Sequence, residues 1–120
     1  MMLSVEWTPK PYHFNEDQVK GVVPEKEGIY QLSNHTEGVF YVGQSDNLQR
    51  RLLEHLSDKE ENTCIKKKLN YEVYVRFALL EDKKERLCAE SFMYYQFKKE
   101  KECACNDKEP SETPCEINLS

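Results

Sequence analysis

Long apolar runs are missing from this 120-residue sequence, and their absence excludes a membrane-spanning helix. The N-terminal stretch also lacks a basic start followed by an apolar core, so it does not resemble a secretory signal peptide. Internal repeats are absent as well. We therefore expect a single cytoplasmic globular domain without a membrane partner, because a chain of this length holds one modest hydrophobic core.

The sequence has fewer basic residues than acidic residues. Lys and Arg number 17 against 22 Asp and Glu, which gives a net charge of −5 and a pI of about 5.3. This balance argues against avid nonspecific binding to nucleic acid, so any nucleic-acid function must use a local patch. A hydrophobic fraction of 38%, with seven Tyr and five Phe, argues against a disordered chain.

The five cysteines lack the regular spacing of a disulfide scaffold. Because the cytosol keeps thiols reduced, we expect all five to remain thiols. Cys103 and Cys105 form a Cys-x-Cys pair with Cys115 ten residues further on, which could be a metal site. The pair lacks the usual two-residue gap and a clear fourth ligand, so ordinary tail cysteines are the favoured interpretation.

Hydrophobic periodicity predicts the order helix, strand, strand, helix, short helix, strand, helix. The strongest helix signal is the leucine stripe at 48, 52 and 56, preceded by a capping box formed by Asp46 and Gln49. We expect a loosely structured lead over 1–11, the domain over 12–106 and a polar tail over 107–120. The predicted elements are a helix from Asn15 through Val19, strands over 29–32, 39–42 and 71–77, and helices after Asp46, over 64–69 and over 82–99.

Five polar side chains of chemical interest fall on these elements rather than on loop tips: Tyr30, Tyr41, Arg51, His55 and Glu90. Phosphodiester cleavage requires a group that activates water, a cation that stabilises the transition state, and usually a metal held by hard oxygen ligands. Tyrosine and histidine, arginine, and glutamate could fill these roles in that order. Taken singly, each residue also has a structural interpretation, such as an ion pair between Glu90 and Arg86 one helical turn away.

The spacing of these residues resembles that of the GIY-YIG nuclease family. Two tripeptides, Gly28-Ile29-Tyr30 and Tyr41-Val42-Gly43, match the motifs that name the family. Arg51 follows the second motif tyrosine by ten residues, and His55 follows one helical turn later. The stretch "ERLCAESFMYYQF" is similar to the family's metal-binding helix and maps the metal ligand to Glu90. The resemblance covers residues 12–106.

The resemblance implies an α/β (α+β) fold, in which a three-stranded antiparallel β-sheet is flanked by helices. It also implies a DNA endonuclease, of a kind found in DNA repair, that uses one divalent metal ion, Mg²⁺ or Mn²⁺. By this likeness Glu90 binds the metal, Arg51 holds the phosphate, and Tyr30 or Tyr41 activates water with His55 as a candidate proton-transfer partner. A tyrosine has a reference pKa of about 10, so the identity of the base stays open.

Some positions depart from the family pattern. Gln44 stands where many relatives carry lysine or a small hydroxyl residue, and it can donate a hydrogen bond to phosphate but adds no charge. The family's terminal asparagine falls near Asn106, sixteen residues beyond Glu90, which is a wider spacing than expected. Glu85 is the alternative metal ligand if the last helix has a different register. The predicted substrate contacts are Gly43, Gln44, Arg50, Lys66 and Lys67.

A function of a different class also stays open. The acidic charge, Gln44 and the lack of room for a second DNA-binding domain favour a noncatalytic nucleic-acid- or protein-binding module on the same scaffold. The expected partner of the nuclease is DNA, with a partner protein as a source of specificity, and a noncatalytic module should copurify with a partner protein.

Overall fold

Within residues 2–99, 104–106 and 116–119, which the computed structural model describes, the chain forms four helices and six strands. All seven predicted elements are present in the predicted order, and three short strands are added to them. The elements are β1 (Met2–Val5), β2 (Tyr12–His13), α1 (Glu16–Val22), β3 (Gly28–Asn34), β4 (Gly38–Ser45), α2 (Leu48–Leu56), α3 (Thr63–Lys68), β5 (Tyr74–Leu79), α4 (Lys83–Lys99) and β6 (Glu116–Leu119).

The main sheet is antiparallel and has the strand order β2-β5-β3-β4. The predicted three-stranded sheet is confirmed as β5, β3 and β4, and the two-residue strand β2 extends it at one edge. β3 pairs on both sides, so its alternating side chains are buried on both faces: Ile29, Tyr30 and Leu32 are each at most 1% exposed. The central strand therefore fixes the first motif tyrosine in the core.

Helices cover both faces of this sheet. On one face Tyr30 and Leu32 pack with Leu48 and Leu52 of α2, in a cluster that also includes side chains of α1 and α3. On the other face Ile29 packs in a second cluster with Val39 and Val42 of β4 and with Ala89, Met93 and Tyr94 of α4. The two-residue period of β3 thus directs α2 and α4 to opposite sides, with β4 between them at the edge of the sheet.

The helix caps agree with the sequence in one case and differ in another. Asn15 caps α1 as predicted, since its side chain accepts a hydrogen bond from the Gln18 amide. α2 is capped by Asn47, whose Oδ1 accepts from the Arg50 amide at 3.0 Å, so the Asp46–Gln49 capping box was wrong by one residue. Asp46 binds the Arg50 guanidinium instead. Either residue is a good cap by type, so the sequence alone did not discriminate between them.

The two ends of the chain form more structure than expected. β1 lies in the predicted irregular lead and pairs in parallel with β6 from the predicted tail, with Met2 opposite Glu116. Such pairing is nonlocal and leaves little trace in either short segment, because its stability comes from the partner strand. The rest of the tail prediction, over 107–115 and 120, lies outside the described residues. None of the helices in the described part of the chain has the length and apolar character needed to cross a membrane.

The prediction that every cysteine is a thiol was wrong. Cys64 of α3 forms a disulfide with Cys105, with 5.3 Å between the two Cα atoms, and Cys88 is disulfide-bonded as well. Cys64 and Cys105 are 41 residues apart, so only the tertiary fold reveals that they are neighbours. Cys105 is therefore unavailable as a thiolate ligand, while Cys103 and Cys115 of the suggested metal site lie outside the described residues.

Candidate active site

Three rings from β3, β4 and α2 meet on one face of the sheet. Tyr30 Oη lies 2.7 Å from His55 Nε2, and the Tyr41 ring centroid lies 6.1 Å from that of Tyr30 and 5.4 Å from that of His55. Tyr30 and His55 are buried, and Tyr41 is partly buried. We refer to Tyr30, Tyr41 and His55 as the Tyr–His cluster, which unites three of the side chains selected from the sequence.

The motif glycines make this arrangement possible. Gly43 pairs with Tyr30 across the two strands, and a Cβ added to Gly43 would lie 2.5 Å from the Tyr30 hydroxyl oxygen. A Cβ on Gly28 would lie 2.3 Å from the Ala78 carbonyl oxygen, so that position is filled by the neighbouring strand. The space beside Gly43, a predicted substrate contact, is therefore filled by the Tyr30 ring, and any larger residue at 43 would displace that ring.

Arg51 lies one helical turn before His55 on α2 and joins this cluster electrostatically. Burial raises the pKa of Tyr30 well above its ordinary value and also raises the pKa of Tyr41. The charge of Arg51 acts in the opposite direction on both tyrosines, but burial dominates. Both side chains are therefore neutral phenols in the resting protein. The charge of Arg51 is close enough to act on both tyrosines, but it does not convert either of them to a phenolate.

His55 has a second partner that the sequence did not reveal. Its Nδ1 lies 2.7 Å from Oε2 of Glu60, and Oε1 of Glu60 accepts a hydrogen bond from the Asn62 amide at 3.0 Å. Burial, assisted by the charge of Arg51, lowers the pKa of His55, whereas Glu60 opposes that shift. Glu60 lies in a charged stretch of the kind typical of a solvated loop, and this stretch has no hydrophobic periodicity that would predict burial of Glu60.

Glu90 lies on α4, which packs on the other face of the sheet, and its charge raises the pKa of both tyrosines of the Tyr–His cluster. Burial raises its own pKa to about 7. The suggested ion pair with Arg86 is not formed, because the buried Arg86 guanidinium donates to Gln44 Oε1 and to the carbonyls of Leu80 and Glu81. In the described part of the chain, Glu90 has no hydrogen-bond or ion-pair partner.

This free carboxylate fits a hard divalent cation. Mg²⁺ is commonly held by one or two carboxylates together with waters and substrate phosphate, and does not need an all-protein cage. Among the described residues no group of three or more His, Cys, Asp or Glu side chains is placed to bind a metal, so a metal ion at Glu90 would take most of its ligands from water and substrate. Glu85, the alternative ligand, lies near the start of α4, and it is the Glu90 charge that acts on the tyrosines.

Most residues predicted to contact phosphate are bound to other protein groups or lie away from the Tyr–His cluster. Gln44 Oε1 accepts from Arg86, and Arg50 pairs with Asp46 at 2.7 Å and with Glu54 at 3.7 Å. Lys66 donates to the Asp58 carbonyl. Lys67 lines a groove of about 440 Å³ beside the β3–β4 turn, and the lining of this groove does not include the Tyr–His cluster.

Asn106 lies at the second motif despite its unusual spacing. Its Oδ1 accepts from the Val42 amide at 3.1 Å, and its Nδ2 donates to the Val42 carbonyl at 3.0 Å. The Cys105 amide donates to the Phe40 carbonyl, and the Cys64–Cys105 disulfide anchors this segment to α3. The segment over 104–106 thus covers the free edge of β4, and the sequence spacing alone could not show this.

Two curated proteins are similar to this chain in sequence. UvrABC system protein C of Dictyoglomus thermophilum is 37% identical over 54 residues, which are 43% of this chain and 9% of that protein. The corresponding protein of Bacteroides fragilis is 27% identical over 85 residues, which are 68% of this chain and 14% of that protein. The chain thus matches only a small part of the length of these curated relatives.

A solved structure shares the fold. The GIY-YIG N-terminal endonuclease domain of UvrC from Thermotoga maritima, described as bound to its catalytic divalent cation, magnesium, aligns with a TM-score of 0.52 and 18% identity. The alignment covers 73% of this chain and 96% of that domain. The family model for the GIY-YIG catalytic domain matches residues 26–104, about two thirds of the sequence. This chain therefore belongs to the GIY-YIG catalytic domain family.

Proposed function

We propose that this protein is a metal-dependent endonuclease that hydrolyses phosphodiester bonds in DNA. The observation that carries the proposal is the hydrogen-bonded pair of Tyr30 and His55, in which the Tyr30 phenol is influenced by the charges of both Arg51 and a partly buried carboxylate, Glu90. A tyrosine that served only as cross-strand packing would require neither the hydrogen bond to His55 nor the nearby charges of Arg51 and Glu90. Burying polar and charged groups costs free energy that an apolar core would avoid, and this cost supports a functional role for the constellation.

In this proposal Tyr30 is the group that accepts the proton of the attacking water. As Tyr30 Oη takes that proton, it passes its own proton to His55 Nε2, 2.7 Å away. This route needs no phenolate in the resting protein, which matters because burial holds the pKa of Tyr30 far above neutrality. The proton ends on His55, where the Glu60 carboxylate stabilises the imidazolium.

Arg51 and Tyr41 are proposed to bind the scissile phosphate. Arginine stays protonated at any relevant pH and can donate two parallel hydrogen bonds to phosphate oxygens. About a third of the Arg51 side chain is exposed, so the guanidinium can reach a substrate while its stem is held by α2. We propose Gly43, Gln44, Arg50, Lys66 and Lys67 as further contacts to the DNA strand.

Glu90 is proposed to hold one Mg²⁺ or Mn²⁺ ion. When bound, a divalent cation stabilises the negative charge that develops on the phosphate. The Glu90 carboxyl group must lose its proton to act as a ligand. Because its pKa is about 7, the fraction that is ionised and able to bind the metal rises as the pH passes through neutrality.

The proposed setting is DNA repair in the cytoplasm, by likeness to the UvrABC system proteins. Because the acidic chain matches only a small part of those relatives, we propose that a partner protein supplies DNA specificity. A cytoplasmic location requires the Cys64–Cys105 disulfide to form or persist in a reducing compartment.

Cleavage of supercoiled, branched and damaged DNA with Mg²⁺ or Mn²⁺ tests the proposal. We expect cleavage by the wild type, loss of about 100-fold or more in Arg51→Ala and Glu90→Gln, and near wild-type rates in the matched control Glu85→Gln. Absence of cleavage on every substrate, or equal rates in Glu85→Gln and Glu90→Gln, would refute it.

A noncatalytic binding module is the second candidate. It is favoured by the engagement of Arg50 with two acidic side chains and of Gln44 with Arg86, which leaves few free groups for phosphate. In that case the protein should bind DNA or a copurifying protein, and metal should not bind at Glu90. Metal-dependent cleavage that Glu90→Gln abolishes would exclude this candidate.

A further inference from the structure

We propose that Glu60 is a positioning residue, which fixes His55 in the tautomer whose Nε2 accepts the Tyr30 hydroxyl proton. This inference rests on the proposed function, in which that proton moves from Tyr30 to His55. Glu60 lies outside the two motif tripeptides and outside the elements that carry the other site residues. Its role follows from the direction in which each hydrogen bond of the chain Asn62–Glu60–His55–Tyr30 must point.

Each oxygen of the Glu60 carboxylate has a fixed partner. Oε1 accepts from the Asn62 backbone amide at 3.0 Å, and Oε2 lies 2.7 Å from His55 Nδ1. An ionised carboxylate can only accept hydrogen bonds, so Oε2 accepts from His55 Nδ1. The proton of neutral His55 must then be on Nδ1. Nε2 is unprotonated and accepts a hydrogen bond from the Tyr30 hydroxyl.

The donor that orients Glu60 is itself held in place. Asn62 is the N-cap of α3, where its Oδ1 accepts from the Ile65 amide at 3.1 Å. Its Nδ2 donates to the Cys105 carbonyl at 2.8 Å, and Cys105 is joined to α3 by its disulfide with Cys64. The side chains of His55 and Glu60 are 0% and 5% exposed, so water cannot readily replace either partner. Glu60 therefore acts from a rigid support.

Replacing Glu60 with glutamine tests the direction of the chain with almost no change in side-chain volume. The glutamine side chain has only one oxygen, and this oxygen should accept from the Asn62 amide. In the opposite orientation the glutamine NH₂ would face the Asn62 N–H, and two donors would oppose each other. The side-chain NH₂ then points at His55 Nδ1, which must accept. The imidazole proton moves to Nε2 and faces Tyr30 Oη, so the Tyr30 hydroxyl loses its acceptor.

The experiment combines ¹⁵N NMR of histidine-labelled protein with single-turnover DNA cleavage. His55 is assigned by comparison with His55→Gln, since the chain has three histidines. We expect an Nδ1–H tautomer in the wild type, an Nε2–H tautomer in Glu60→Gln, and a cleavage rate reduced at least about tenfold with DNA affinity unchanged. The neighbouring, exposed Glu61→Gln is the matched control and should match the wild type in both readouts.

An Nε2–H tautomer in the wild type would overturn the proposal by itself, even if Glu60→Gln did not fold. A tautomer change in Glu60→Gln without slower cleavage would overturn the catalytic part, and so would slower cleavage without a tautomer change. If the wild type cleaves no DNA, the proposed function fails and the catalytic part fails with it. The NMR spectra would still decide whether Glu60 sets the tautomer, so the two failures are distinguishable.

Discussion

Replacing Glu90 with glutamine should stabilise the metal-free protein above neutral pH. The pKa of Glu90 is raised from 4.5 to about 7 by burial, so the folded protein keeps a proton that the unfolded chain releases between these values. Stability therefore falls as pH rises from about 4.5 to 7, and the full penalty remains above pH 7. At 1.36 kcal/mol for each pKa unit the upper limit is about 3 kcal/mol, and residual access to water reduces it to about 1–2 kcal/mol.

Urea unfolding of the wild type and Glu90→Gln in EDTA, at several values between pH 4.5 and 8.5, measures this penalty. Glu90→Gln should match the wild type near pH 4.5 and exceed its stability above pH 7. Glu85→Gln is the control, and its difference from the wild type should not grow over this range. Mg²⁺ should raise the stability of the wild type at pH 8 but not that of Glu90→Gln. Parallel stability curves for the wild type and Glu90→Gln would refute the reasoning.

Three further predictions concern the elements around the Tyr–His cluster. Gly43→Ala places a Cβ against the Tyr30 hydroxyl, so we expect a loss of about 1–3 kcal/mol in urea unfolding and slower cleavage; unchanged stability would contradict the contact. Replacing both Cys64 and Cys105 with serine opens a 41-residue loop and should cost about 2–4 kcal/mol, a difference that should vanish when both proteins are measured in reductant. His55 should titrate below 6.5 in an NMR pH series, because burial and Arg51 disfavour its charged form; a pKa at or above 6.5 would contradict this.

Much of the fold could be predicted from local sequence. The two-residue period of β5, the leucine stripe of α2 and the asparagine cap of α1 are local signals, and each corresponds to an observed element. The pairing of β1 with β6 and the Cys64–Cys105 disulfide could not be found in this way. Both join segments that are far apart in the sequence, so only the folded chain brings them together.

The site shows the same division. The sequence could mark Tyr30, Tyr41, Arg51, His55 and Glu90 as candidate site residues, because their family spacing is specific as a combination although no single residue is specific. Glu60 was not recognisable, since a glutamate among charged residues ordinarily indicates a solvated loop. The burial of Glu60 depends on its hydrogen bonds with His55 and Asn62, which the sequence does not display.

Cleavage of plasmid DNA under single-turnover conditions tests the proposed active site most directly. With Mg²⁺ or Mn²⁺ at pH 8, we predict that the wild type and Glu85→Gln nick or linearise the plasmid, while Glu90→Gln, Arg51→Ala and Tyr30→Phe are slower by about 100-fold or more. Cleavage by Glu90→Gln at the rate of Glu85→Gln, or no metal-dependent cleavage by the wild type, would contradict the assignment of these residues to a nuclease site.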